Sequence, residues 1–336
     1  MTTGALSSRA VYKAGYRRCP WHDAERDRPV WADVWYPSRD ERGEQPIDHG
    51  LGRGSVIAGG SVAVDASFPL ALVSPGASGS ASNYSWLAEY LCRRGVVVLG
   101  VSHYGESWLY GPQTIDPEAV TQLWLRPPDC SFALGELLRA DDFADRVDRT
   151  RIAAIGHSSG GATVAALGGA VFDPSALRAY CGSDASVGDR GCDYARGSGP
   201  APARETFSQR DSRVGALVML DPAAGPGYGA DTLAGVNVPA LVFGSVDNDF
   251  VPFEHHAGRY AALIPNARLV RLDAGEGHFV YLNPCRSELS ANGVPLCTDR
   301  PGVDRTRVHA RIAPQVLEFL SATLAIAQAR PAAPSV

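Results

Sequence analysis

Two kinds of apolar pattern alternate along the chain. The first has a period of two. Val30-Trp31-Ala32-Asp33-Val34-Trp35-Tyr36 is rich in aromatic and β-branched residues and stops at Pro37, so residues 11–36 predict two edge strands. The second kind is continuous. Pro69–Ser74 and Val96–Ser102 are unbroken apolar runs, the form taken by strands buried on both faces. The run at Ile152–Ile155 and those at Val214–Leu220, Pro239–Gly244 and Ala267–Leu272 predict four more strands. Between them, helices are predicted over about 83–94, 130–147, 253–264 and 304–328. The first carries Trp86, Leu87, Tyr90 and Leu91 on one face and ends at Gly95, as a helix closed by glycine does.

The stretches between these elements are irregular. Residues 37–67 are charged and then rich in Gly and Ser, and 103–128 is a loop with many aromatics. Residues 170–212 have no clean period and predict a cap-like excursion over the sheet, and 283–303 form a second cysteine-bearing loop. Alternating strands and helices predict an α/β fold with a mostly parallel central sheet flanked by helices. No internal repeat and no linker divides the chain, so residues 1–336 are expected to form one domain.

Composition narrows the function classes. With 336 residues, 45% of them hydrophobic and 20% charged, the chain can bury a sizeable core. A net charge of −5, with Lys13 the only lysine, offers no basic face for nucleic acid. No run of about 18 apolar residues predicts a membrane span. Met1–Ala10 lacks an apolar core, so no secretory signal is expected in this chain.

The chemistry centres on Gly156-His157-Ser158-Ser159-Gly160-Gly161. An apolar strand runs into Gly-x-Ser-x-Gly, and a small-residue helix pattern follows. Such a strand–turn–helix presents a serine hydroxyl on a sharp turn. Ser158 is therefore the candidate nucleophile. A serine hydroxyl needs an adjacent base and the base an orienting carboxylate. His278 follows the last strand on a Gly-rich loop and is the candidate base. For the acid, the strand–Gly–two residues–Asp spacing of Phe243–Asp247 favours Asp247, with Asp249 a rival and Asp221, which ends the preceding strand, a third option. Two backbone N–H groups must face the developing oxyanion. Ser159 is expected to supply one, and Ala77, in the loop after Leu70–Ser74, the other.

Other residues have plainer expectations. His157 is expected to pack, His103 to lie at the site rim, and His255-His256 to sit near a helix start with no metal set around them. Trp86, Tyr104, Trp108, Tyr110 and Trp124 are candidates for an aromatic pocket. Gly225-Pro226-Gly227-Tyr228-Gly229 lacks the strand–helix setting of a nucleotide loop. Cys181 with Cys192, and Cys285 with Cys297, form two local pairs by spacing, which would suit an exported protein; free thiols in a reducing cytosol are the alternative.

Taken together, the elbow at Ser158, the acid loop at Asp247 and the loop at His278 resemble the α/β-hydrolase superfamily. Within it, Val34-Trp35-Tyr36-Pro37, Phe68-Pro69-Leu70, Ala257-Gly258-Arg259-Tyr260 with Ile264-Pro265, and the cysteine loops are similar to the bacterial predicted dienelactone hydrolase group, related to platelet-activating-factor acetylhydrolases. Ser74-Pro75-Gly76 stands where those proteins commonly carry Ser-His-Gly, and looks more like the polyester-hydrolase and cutinase branch. The resemblance implies a Ser158–His278–Asp247 triad, Ala77 and Ser159 as oxyanion donors, no cofactor or metal, and a small or polymeric ester as substrate. True dienelactone hydrolases use cysteine, so the serine argues against that literal activity. An amidase or peptidase on the same triad, or a silent binding protein on the same fold, are the alternatives.

Overall fold

A computed structural model describes residues 11–197, 206 and 208–327. The expectations for Met1–Ala10, for 198–205 and 207 within the excursion, and for the end of the closing helix at 328 lie outside the described residues.

The strands are β1 (Lys13–Asp23), β2 (Arg28–Ser38), β3 (Gln45–Asp48), β4 (Arg53–Ala58), β5 (Phe68–Ser74), β6 (Val97–Ser102), β7 (Val147–His157), β8 (Val214–Leu220), β9 (Ala240–Ser245) and β10 (Ala267–Leu272). They form one sheet in the order β10-β9-β8-β7-β5-β6-β2-β1-β4-β3. From β10 to β6 every pairing is parallel, whereas β6–β2 and β2–β1 are antiparallel. The helices are α1 (Ser85–Cys92), α2 (Arg126–Arg139), α3 (Asp141–Ala144), α4 (Ser159–Gly168), α5 (Pro174–Cys181), α6 (Cys192–Gly197), α7 (Ala230–Ala234), α8 (Ala257–Leu263) and α9 (Arg305–Ala327).

Continuous apolar strands feed two cores at once. In β5, Leu70 and Leu72 face a cluster with Leu134 and Leu137 of α2 and Val164 and Leu167 of α4. Ala71 and Val73 face the other side, with Leu87 and Leu91 of α1 and Ile312 and Val316 of α9. Successive residues of a strand point to opposite faces, so a strand with helices on both sides has no polar face to show.

Three expectations need correction. β1 and β2 are not the sheet edge, because β4 and β3 extend it beyond them. Gln45, Pro46 and Asp48 of β3 are exposed, so that strand leaves no apolar signature. The helix expected over 130–147 starts earlier, at Arg126, and stops at Arg139; prolines 127 and 128 fit its first turn, where no intrahelical N–H is required. Ala140 then takes an extended conformation, a short α3 follows, and β7 has begun by Val147. The loop 103–128 is not featureless but a series of short 3-10 turns leading into α2.

Candidate active site

The site is built at the carboxyl ends of β7, β8, β9 and β10. Ser158 joins β7 to α4 with φ 55° and ψ −120°, a left-handed backbone that a non-glycine residue adopts only under constraint. The turn closes because its flanks carry no side chains. A Cβ on Gly156 would lie 2.0 Å from the carbonyl oxygen of Gly160, and one on Gly160 would lie 2.0 Å from that of Ser74.

His278 opens the 3-10 turn His278–Tyr281 after β10 and is fully buried. Its Nε2 lies 2.8 Å from Ser158 Oγ. The Phe250 ring stacks on the imidazole at 5.1 Å and an interplanar angle of 9°. The Asp249 carboxylate accepts from the His278 backbone N–H at 2.8 Å.

Of the three aspartates, Asp221 meets the far side of the ring. Its Oδ2 is 3.8 Å from His278 Nδ1, is buried, and has no hydrogen-bond partner. Its Oδ1 accepts from Ser245 N–H at 2.7 Å. Asp221 itself holds φ 41°, just past the end of β8, so its backbone is bent to bring the carboxylate under the histidine. Asp247, the favoured acid on sequence spacing, is exposed; its backbone carbonyl accepts from Arg300. Asp249 supports the His278 backbone and lies 3.5 Å from Arg300. Asp221 is thus the carboxylate that faces Nδ1, in place of Asp247 or Asp249, and the Asn248 side-chain amide lies beside the same nitrogen, with Nδ2 at 3.4 Å. The physical reason is reach: in the loop after β9, Asn248, Asp249 and Phe250 turn toward His278 while Asp247 is left exposed, and the Asp221 carboxylate at the end of β8 lies 3.8 Å from Nδ1.

His157 packs, as expected, and also links. Its Nε2 lies 3.0 Å from the His278 carbonyl oxygen, which can only accept, so Nε2 carries the proton. Nδ1 then accepts from the Tyr84 hydroxyl at 2.8 Å. Burial and the adjacent His278 hold this imidazole well below its ordinary pKa, which keeps it neutral.

No family model matches the chain, and no curated protein matches it. Among solved structures, it is similar to a ferulic acid esterase from Streptomyces cinnamoneus, with 21% identity and a TM-score of 0.59 over 99% of this chain and 96% of that one. The chain has the α/β-hydrolase fold.

On this hydrolase fold, Ser158, Ser159 and Ala77 line one cavity, walled by Leu123, Leu177, Tyr194, Phe250 and Val251. Neither the Ala77 nor the Ser159 backbone N–H donates to a protein group among the described residues. Tyr194 and Phe250 supply the aromatic lining. The expected candidates lie elsewhere: Trp86 stacks on His309 and donates to the Tyr281 carbonyl, Tyr110 donates to the Ser102 carbonyl, and Trp108 is exposed.

Much of the wall comes from the excursion after α4. A Cys181–Cys192 disulfide ties α5 to α6. Between them, buried Asp189 pairs with His256 at 2.8 Å; burial pulls the carboxyl pKa up, but His256 outweighs this and holds it below the usual range. A second disulfide, Cys285–Cys297, closes the loop after His278. The two loops touch through Arg190, which donates to the Asn292 carbonyl, and Asn292 Nδ2, which donates to the Arg190 carbonyl at 2.8 Å. His103 does not line the rim. It is buried beneath the site, between Ser74 and Asp129. Among the described residues, no helix is long and apolar enough to cross a membrane.

Proposed function

We propose that the chain is a serine hydrolase that cleaves carboxylic esters, with Ser158 as nucleophile, His278 as base and Asp221 as the acid. The observation that carries this reading is Ser158 Oγ 2.8 Å from His278 Nε2, on a strained turn, with a buried carboxylate behind the ring whose Oδ2 has no hydrogen-bond partner. His278 Nε2 accepts the Ser158 proton as Oγ attacks the ester carbonyl. The N–H groups of Ala77 and Ser159 hold the tetrahedral oxyanion, and such donors contribute about 10²–10³ in rate each. The proton then passes to the leaving alcohol, and water, activated by the same histidine, releases the acid. Asp221 stabilises the imidazolium. Its 3.8 Å separation has to close by roughly an ångström to reach hydrogen-bond distance, as catalytic contacts in unliganded enzymes often do.

The apolar wall of Leu123, Leu177, Tyr194 and Phe250 suits an apolar or aromatic acyl group. The ferulic acid esterase likeness makes hydroxycinnamoyl esters a natural first panel beside simple aliphatic ones. Two disulfides fit an oxidising compartment.

The test is turnover of p-nitrophenyl acetate and methyl ferulate by wild type and Ser158→Ala, with fluorophosphonate labelling. The expected result is labelling of Ser158 alone and a loss of at least about 10³-fold in the variant. Retained turnover would falsify the mechanism.

A further inference from the structure

The loop that carries Ala77 is held residue by residue from beneath. Ser74 Oγ lies 3.0 Å from His103 Nε2. The Pro75 carbonyl accepts from Arg126 Nη1 at 2.8 Å. The Gly76 N–H donates to the Tyr84 hydroxyl at 3.0 Å. The Ser78 N–H donates to Glu106 Oε2 at 3.3 Å, with Ser78 itself at φ 56°. Among the described residues no such anchor reaches Ala77, the residue of this loop that lines the cavity beside Ser158. All four anchoring side chains are buried.

The anchors are themselves joined. Arg126 and Glu106 form a two-point ion pair, Nε to Oε1 at 2.8 Å and Nη2 to Oε2. One pair thus grips the loop on both sides of Ala77, the cation on a carbonyl and the anion on an N–H. His103 donates through Nδ1 to Asp129, which is fixed in turn by Arg26 and Arg28. Burial lowers the His103 pKa while Asp129 opposes it, so neutral His103 accepts the Ser74 hydroxyl proton at Nε2. Ser74–His103–Asp129 has the order of a catalytic triad, but Ser74 is 1% exposed, with no route for a substrate. Tyr84 passes its proton toward His157, whose other nitrogen holds the His278 carbonyl. The frame therefore fixes the oxyanion loop and the base relative to one another.

We infer that Tyr84, Glu106 and Arg126, with His103, are positioning residues that set the Ala77 N–H for the transition state. This rests on the serine-hydrolase reading. A fixed donor acts where charge develops, so its displacement lowers kcat while leaving substrate affinity largely intact.

The experiment compares wild type, Ser158→Ala, Tyr84→Phe and the double variant Glu106→Leu/Arg126→Met. Replacing both members of a buried ion pair by apolar residues often leaves a fold stable, whereas removing one strands a charge. Turnover of p-nitrophenyl acetate is scaled to sites titrated by fluorophosphonate, so loss of folded protein does not register. Inhibition by phenylboronic acid, which becomes tetrahedral on the serine, reports the oxyanion site directly. The double variant is expected to lose about 10²-fold in kcat per titrated site, with KM within about threefold and boronate affinity falling in parallel. Tyr84→Phe is expected to lose about tenfold. Wild-type kcat and boronate affinity in the folded double variant overturn the inference. Should that variant not fold, wild-type values in Tyr84→Phe do so. If Ser158→Ala is inactive while the frame variants are unimpaired, this inference fails alone; if Ser158→Ala turns over, the hydrolase reading fails first.

Discussion

Of the three candidate aspartates, two meet His278 and one does not. Asp221 presents an unpartnered oxygen to Nδ1, Asp249 accepts from the His278 backbone, and Asp247 is exposed. The variants should separate accordingly. Asp221→Asn removes the charge that stabilises the imidazolium and should cost about 10²–10⁴-fold in kcat. Asp247→Asn should stay within about twofold, as a surface change does. Asp249→Asn should weaken the hold on the His278 loop and cost about tenfold. A pre-steady-state comparison of the three with p-nitrophenyl acetate decides, and an Asp247→Asn protein as impaired as Asp221→Asn would return the acid to the β9 loop. Ser158 and His278 were legible because a strand–Gly-x-Ser-x-Gly–helix and a Gly-rich loop after the last strand carry their context with them. From the sequence alone Asp221 is only a third option. Asp-Pro at a strand end reads equally as a turn, and only the packing of β8 beneath the histidine loop distinguishes the two. The positioning residues Glu106 and Arg126 left no signal, since a lone Glu in an aromatic loop and an Arg before two prolines look like surface charges until they are found buried together.

At the scale of elements, β5, β6, β8 and β9 were legible to within about a residue because burial on both faces demands unbroken apolar runs, whereas β7 begins at Val147, well before the apolar run at Ile152, because Asp148, Arg149 and Thr150 at its start are not buried. β3 was not legible, since an edge strand outside the core is free to be polar, and β4 buries only Val56 and Ile57, too short a run to read as a strand. The junction of β5, β7 and α4 depends on absent side chains more than on present ones. A methyl at Gly160 would meet the Ser74 carbonyl, a backbone atom of β5 that cannot rotate away. Gly160→Ala should therefore destabilise by about 3 kcal/mol in urea unfolding and lower kcat together with stability, because the same shift moves the oxyanion loop. The contact between α1 and α9 makes a pH prediction. His309 of α9 stacks on Trp86 at 3.7 Å and donates to the Val280 carbonyl, and burial lowers its pKa to about 4. The unfolded chain takes up this proton near pH 6.5, and the folded chain only near pH 4. Stability from this group is present above pH 6.5 and is lost as pH falls toward 4, by up to about 3 kcal/mol. His309→Gln should flatten that part of the profile in urea titrations between pH 7 and 4; equal slopes in the two proteins would count against it.

At the scale of the whole molecule, the connections leaving β7, β8 and β10 carry Ser158, Asp221 and His278, and two disulfide-closed loops supply the enclosure. They differ in how they reach the site. The excursion closed by Cys181–Cys192 lines the cavity itself, through Leu177 of α5, Asp189 and Gly191 between the cysteines and Tyr194 of α6, and is latched by Asp189 to His256, just before α8. The Cys285–Cys297 loop acts at one remove, through its contact with Arg190 and through Val294, which packs with Phe250. Each bridge closes a short loop, with sequence separations of 11 and 12, and the chain-entropy model gives both about 3 kcal/mol. Equal stabilisation with unequal lining implies that the two can be told apart kinetically. Cys181→Ser/Cys192→Ser should raise KM for an ester with a large apolar acyl group by about tenfold, because the wall must be ordered at the moment of binding. The same variant should process p-nitrophenyl acetate with nearly unchanged kcat, since Ser158, Asp221 and His278 lie on the connections after β7, β8 and β10 and not on the excursion. Cys285→Ser/Cys297→Ser should lose comparable stability yet shift KM far less. If both variants change KM alike, the excursion is not the specificity wall, and selectivity must be sought in Phe250, which stacks on His278, and in Val251; the backbone N–H groups of both donate to Asn248 Oδ1 within the β9 loop.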